Sequence, residues 1–189
     1  MGALVLGCGG STEAPVLRAD AQFNPPSAAD TFALVREASP AVAQSFIVEQ
    51  DGRLEEFWLV VTDGPSADAG TIRITLQPVD GGGVIDDDPT HSLIDPIVID
   101  TTTLPDVLLE EFTEFNIGDE PGRDVLAGER YAIVVEFVSR ATSNDTAAIA
   151  IVLGQTGDPF AEGSGATGEL NVGFTNNTDD YFFRTFVLD

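Results

Sequence analysis

Thr71-Ile-Arg-Ile-Thr-Leu76 decides the fold class. Its apolar residues recur at every second position, so Ile72, Ile74 and Leu76 share one face of an extended chain while Thr71, Arg73 and Thr75 take the other. A helix would scatter the same residues around its circumference. The segment therefore reads as a strand with one side on a core and the other in water. Upstream, Phe57, Leu59 and Val61 alternate with Trp58 and Val60, which predicts a strand apolar on both faces and a buried Trp58. Downstream, Leu126 to Phe137 reads as a turn through Gly128 into a strand with Ile133, Val135 and Phe137 inward. Tyr131 is expected in the core of that strand.

Working outward, the same signals mark Ala43–Gln50, Ile94–Ile99, Leu109–Ile117, Ala147–Leu153, Leu170–Phe174 and Tyr181–Leu188. Clusters of Gly, Pro and Asp separate these runs. About nine short strands with no intervening helical periods predict an all-β fold, an antiparallel β-sandwich of the jelly-roll type, over residues 41–189. Residues 9–40 are rich in Ala, Pro, Ser, Asp and Glu around Pro25-Pro26 and read as a disordered tether, with at most a short helix at Ala28–Glu37 capped by Asp30.

The first eight residues are small and apolar up to the only cysteine. Val5-Leu6-Gly7-Cys8 resembles the bacterial lipobox, in which the Cys sulfur carries diacylglycerol and becomes the new N-terminus; Leu6 is bulkier than the usual residue there. Lipid attachment at Cys8 is the expectation, with a lone free thiol as the alternative. Seven residues are too few for a charged region plus an apolar segment of about 7–15 residues, which leaves room for a leader starting upstream of Met1. The expected location is extracytoplasmic, lipid-anchored to a bacterial membrane or cell surface.

The chain carries 32 acidic residues and eight basic ones, all Arg, for a formal charge of -24. Such a polyanion repels phosphate backbones, which excludes nucleic acid, and it disfavours anionic membranes except through a lipid on Cys8. Carboxylates without Lys partners also repel one another. Greater stability in brine or in millimolar Ca²⁺ than in low salt is therefore expected.

Several segments, in order, carry a resemblance: Ala43-Gln-Ser-Phe46, Gly70 to Gly83, Leu126 to Val135, Gly157-Asp-Pro-Phe-Ala-Glu-Gly163 and Tyr181-Phe-Phe-Arg-Thr-Phe-Val187. Residues 39–189 resemble the jelly-roll accessory domains of secreted bacterial proteins, which are similar in architecture to carbohydrate-binding modules. The resemblance implies a non-catalytic surface module with a glycan or a surface protein as partner. Where relatives carry a Tyr/Trp-rich strand, this chain has Ala147 to Leu153, so the resemblance also implies an aromatic platform lost at that strand.

The residues themselves offer few chemical constellations. A sugar site needs flat aromatic rings flanked by carboxylates or amides, and the candidate rings are Trp58, Tyr131 and Tyr181; core packing is the stronger reading for Trp58 and Tyr131, which leaves Tyr181, after Asp179-Asp180, with Asp158 on a neighbouring loop. Ca²⁺ is the candidate ion, with Asp86, Asp87 and Asp88 as ligands after the Gly81-Gly-Gly83 turn, although the alternating register of a calcium loop is missing. No cofactor is required. Catalysis would have to use His91, the only histidine, beside Ser92 and near the three aspartates, or the doublets Glu55-Glu56 and Glu110-Glu111, whose members point to opposite faces. The reading is a non-catalytic cell-surface module for interaction, adhesion or display, with a carbohydrate-binding domain as the alternative and a hydrolase as the remote one.

Overall fold

A computed structural model describes residues 15–24, 29–38, 40–64, 69–106, 111–117, 123–140, 148–157 and 160–189. Fifteen strands follow one another: β1 Leu17–Phe23, β2 Thr31–Val35, β3 Ala41–Ile47, β4 Gly52–Leu59, β5 Val61–Asp63, β6 Gly70–Pro78, β7 Ile97–Asp100, β8 Thr113–Asn116, β9 Asp124–Val125, β10 Arg130–Arg140, β11 Ala150–Thr156, β12 Gly165–Glu169, β13 Gly173–Asn176, β14 Asp179–Tyr181 and β15 Phe183–Leu188. Two single turns of 3₁₀ helix, Pro89–His91 and Thr101–Thr103, are the helical content of the described residues.

One layer is a six-stranded sheet in the order β13-β12-β3-β10-β6-β7. The other is forked. β4 and β15 pair as neighbours between β1 and β8, then part beyond Leu59 and Phe183, and β11 lies across the opening, one edge pairing with β5 at Ala150–Val152 and with β14 at Gly154–Thr156, the other with β2. Three backbone bonds close the fork: Val60 N–H donates to Phe182 O (3.2 Å), Phe182 N–H to Leu153 O (3.1 Å) and Leu153 N–H to Val60 O (2.9 Å). Every strand pairing is antiparallel, and the whole is an all-β sandwich.

The main core lies between the layers. Ile72, Ile74 and Leu76 of β6, Ile133 and Val135 of β10, and Val42 and Phe46 of β3 meet Leu54, Phe57 and Leu59 of β4 and Phe183 and Val187 of β15. A buried polar link ties the layers together at one end. Gln44 on β3 accepts from Tyr181 N–H (2.6 Å) and donates to Asp180 Oδ1 (3.2 Å), and Asp180 Oδ2 accepts from Phe160 N–H (2.9 Å). All backbone and carboxylate groups in this link are out of water, where an unmade bond is costly.

The tether expected over residues 9–40 does not extend through β1 and β2. β1 pairs with β15 at the sheet edge and turns Ala21 and Phe23 inward, while its Asp20 carboxylate, 3% exposed, accepts from Glu49 N–H and Gln50 N–H (both 2.9 Å). β2 replaces the short helix, because Ala33 and Val35 alternate inward and pair with β11. The strand expected over Leu170–Phe174 is a tight turn at Leu170–Val172, with Asn171 at φ 66° and Val172 exposed, and only Gly173 and Phe174 belong to β13. The second face of β6 is only partly in water: Thr71 and Arg73 are half-buried, whereas Thr75 and Gln77 are buried. The connection from Val79 to Pro96 folds back here, and Val79 and Ile85 pack on Ala43, Ala132 and Val134 as a second, smaller core.

Candidate functional site

Cys8 and Asp158 lie outside the described residues. Asp86, Asp87 and Asp88 sit on the fold-back connection, but their carboxylates do not converge. Asp86 Oδ1 accepts from Asp88 N–H (3.0 Å) and its Oδ2 pairs with His91 Nδ1 (2.8 Å). Asp88 Oδ1 caps the short helix, accepting from Thr90 N–H (2.9 Å) and Thr90 Oγ1 (2.7 Å). Asp87 lines a cavity of about 450 Å³ bounded by Val79, Val84, Ile85 and Phe174. Consecutive residues of an extended loop point different ways, which is why three adjacent aspartates make a cap, an ion pair and a rim instead of one cage. Among the described residues no group of three or more His, Cys, Asp or Glu is placed to hold a metal ion.

The bonds in this loop shift its titrations. The Asp88 backbone N–H, and then His91, hold the Asp86 carboxyl below its ordinary range, and the Asp86 hydrogen bond raises His91. Ser92 is spent on the backbone: its Oγ donates to Ile94 O (2.8 Å) and accepts from Leu76 N–H (3.1 Å). A hydroxyl so engaged is not poised beside the imidazole as a nucleophile.

Tyr181 is 2% exposed, so it offers no stacking face to a ligand. Its ring belongs to the core, and its hydroxyl accepts from Asn177 Nδ2 (3.1 Å). Gln44 of the opposite layer takes both the Tyr181 N–H and the Asp180 carboxylate, which holds β14 against that layer, and the Tyr181 ring lies over Gly165 of β12. Tyr131 is buried as expected and donates to Glu129 (2.7 Å).

Trp58 differs from expectation in the opposite sense. β4 points Phe57 and Leu59 into the core, and alternation sends Glu56 and Trp58 to the outer face of the β1-β15-β4-β8 sheet. β15 does the same, with Phe183, Thr185 and Val187 inward and Arg184 and Phe186 outward. The register places Arg184 opposite Trp58 and Phe186 opposite Glu56, with Glu114 of β8 on the far side of Trp58. The result is a half-buried aromatic cluster. Trp58 lies 4.8 Å from Phe186 and 6.3 Å from Phe112, centroid to centroid. The Arg184 guanidinium stands 4.4 Å from the Phe112 centroid and 5.3 Å from that of Trp58, within cation–π range.

Polar side chains frame the rings. Arg184 Nε donates to Asn24 Oδ1, and Asn24 Nδ2 donates to Gln22 Oε1 (3.1 Å). On the other flank Asn116 Nδ2 donates to Glu114 Oε1 (3.0 Å). Burial raises the Glu56 carboxyl above its ordinary range, Glu114 reinforces the shift, and the Trp58 indole N–H opposes it. The doublet does not split cleanly between two faces, because Glu55 is the extra residue of a bulge between the inward Leu54 and Phe57, and its carboxylate goes to the buried guanidinium of Arg123 (3.2 Å) and to Arg53 (2.7 Å). This face was the one sequence reasoning missed, and its signal was the alternation of β4 itself. No protein-family model and no curated protein matches the chain.

Proposed function

We propose that this chain is a non-catalytic β-sandwich module, displayed outside the cell on a lipid at Cys8, that holds a partner on the outer face of the β1-β15-β4-β8 sheet. The observation that carries the reading is the Trp58–Phe186–Phe112 cluster with Arg184 over its rings. Three aromatic side chains and a guanidinium kept partly exposed together on one sheet face suit an interaction site, since aromatic and Arg side chains are the ones enriched where proteins meet partners. A flat face assembled from strand positions also suits holding more than turnover, which needs a concave site that excludes water. The charge of -24 suits a salt-exposed exterior, and the resemblance to jelly-roll accessory domains accords with display.

Adsorption to isolated cell envelopes tests the binding half. The full chain is expected to adsorb, and an Arg184→Ser/Phe186→Ser variant with unchanged far-ultraviolet circular dichroism is expected not to. Equal adsorption of the two would refute the assignment of this face. Labelling of the expressed chain with an alkynyl fatty acid, lost on Cys8→Ser, tests the anchor separately.

A further inference from the structure

Going beyond the aromatic face, we propose that the cleft between the fold-back connection and β13 is a second binding site, one that takes a basic, apolar segment of a partner protein. An apolar side chain of the partner enters between Val79, Ile85 and Phe174, and a neighbouring lysine or arginine meets Asp80 and Asp87. The cleft is the cavity of about 450 Å³ that Asp87 lines. One wall is the hairpin from Val79 to Ile85, whose two ends are bridged and whose Asp80 N–H donates to Val84 O (3.0 Å). The other wall is Gly173 and Phe174 of β13, an edge strand that among the described residues pairs with β12 alone. Asn171 N–H donates to Asp87 O (2.6 Å), which ties the two walls together at one end.

The cleft is the uncovered end of the second core. Val79 and Ile85 belong to that core, and Phe174 packs on it while staying partly exposed. No side chain rises from Gly173: a Cβ there would meet nothing closer than Asp87 Oδ2 at 3.9 Å, so β13 leaves the cleft open. The lips are apolar and in water, with Val84 63% exposed and Val172 73%. A ligand confined to the cavity would cover neither, whereas a polypeptide crossing the rim buries both. That apolar gain favours a protein segment over a small molecule. The surface also continues past Asp80 into a shallower hollow of about 330 Å³ beside Gly128 and Tyr131.

Charge sets the sign of the partner. Asp86 is taken by His91, and Asp80 Oδ1 by Gly82 N–H (2.8 Å) and Val84 N–H (2.9 Å). Among the described residues nothing donates to Asp80 Oδ2 or to the half-buried carboxylate of Asp87. None of the eight arginines lines this cavity and the chain has no lysine, so the rim is not neutralised from within. A second copy would bring another -24 to it, and an acidic partner would be repelled in the same way. A cation held against a half-buried carboxylate is screened by salt less than one in open solvent, so the pair persists in saline surroundings.

The probe is the fluorescein-labelled peptide Lys-Val-Lys-Phe-Lys-Val-Lys, titrated into the full chain in about 0.15 M NaCl and followed by anisotropy. Lys-Ser-Lys-Ser-Lys-Ser-Lys and Glu-Val-Glu-Phe-Glu-Val-Glu are the comparisons. Saturable binding of the first peptide and of neither comparison is expected. Asp87→Arg should weaken it about tenfold and Val84→Ser, at an exposed position, about threefold. Asp124→Arg, the same change of charge on exposed β9, should stay within about twofold of the parent, and Arg184→Ser/Phe186→Ser, on the opposite layer, should bind as the parent does. Equal losses in Asp87→Arg and Asp124→Arg would show attraction to the whole polyanion and overturn the proposal. So would equal affinity for the Lys/Ser peptide, no binding of any peptide, or loss in Arg184→Ser/Phe186→Ser. Competition by free phenethylammonium as effective as that by unlabelled peptide would overturn it in favour of a small organic cation.

Discussion

Replacing Asp180 with Ala tests how the two layers are joined. The carboxylate is fully buried, and among its bonds are those from Gln44 Nε2 at 3.2 Å and Phe160 N–H at 2.9 Å. Alanine removes the acceptor and leaves both donors out of water. An unsatisfied buried donor costs about 1–3 kcal/mol, so two cost about 2–6 kcal/mol. Some of this is offset, because the folded state no longer desolvates a carboxylate. A net loss of about 3 kcal/mol is expected, a large part of the about 5–15 kcal/mol that holds a typical domain. For a chain of this size that lowers the melting temperature by about 6–12 °C.

Calorimetry on the parent, Asp180→Ala, Gln44→Leu and the double variant gives the measurement. Gln44→Leu takes away the acceptor of Tyr181 N–H (2.6 Å) and one donor to Asp180. Because the two side chains share a bond, the double variant should lose less than the sum of the singles, by about 0.5–3 kcal/mol. An Asp180→Ala protein melting within about 2 °C of the parent would refute the cross-layer link. Additive losses would show that Gln44 and Asp180 act apart.

Three further outcomes follow from the same geometry. The His91 imidazole should titrate above its ordinary value by NMR and fall back toward it in Asp86→Asn, with Asp88 Oδ2, 3.8 Å from Nε2, keeping part of the rise; since the folded value is raised, the ion pair supports the loop below the unfolded His pKa and fades as pH rises through the folded one, while the lowered Asp86 makes it fade again in acid. Identical His91 titrations in the two proteins would contradict the 2.8 Å pair. The melting temperature should climb with NaCl, because screening relieves the repulsion among 32 acidic side chains, and Ca²⁺ at matched ionic strength should add nothing further, since Asp86 and Asp88 are already engaged; a flat response to NaCl would remove the repulsion argument. Gly154→Ala should destabilise by about 1–3 kcal/mol or more, its Cβ falling 2.2 Å from Asp180 O beside the fork, whereas Gly81→Ala, with nothing within 4 Å, should stay within about 0.5 kcal/mol in urea titrations.

The central strands were legible because burial on one or both faces writes a period of two into the sequence. β6, β10 and β15 lie where alternation puts them, and their apolar residues form the core. β1 was not legible for the complementary reason. An edge strand needs few inward residues, and Leu17–Phe23 turns only Asp20, Ala21 and Phe23 inside, so its composition looks like that of a tether. Asp180 and Tyr181 looked like a polar strand start. Their burial depends on Gln44, 136 residues earlier in the chain, and no local pattern carries a contact of that range. The outward position of Trp58, by contrast, was available: Phe57 and Leu59 facing in obliges residue 58 to face out.

The same parity argument bears on why the outer face has the residues it has. β4 and β15 are constrained at 54, 57, 59, 183, 185 and 187, which are all buried, and the intervening positions could be filled by Thr, Ser or charged residues at no cost to the core. Trp58 and Phe186 instead stay only partly buried, where they recover less of their transfer free energy than a core ring does. The guanidinium of Arg184 laid over Trp58 and Phe112 puts a charged group against the rings at this face. A fold in need only of stability has no use for this combination. A partner docked on this face does, and the sequence on the outer positions of two central strands is then a record of binding instead of folding.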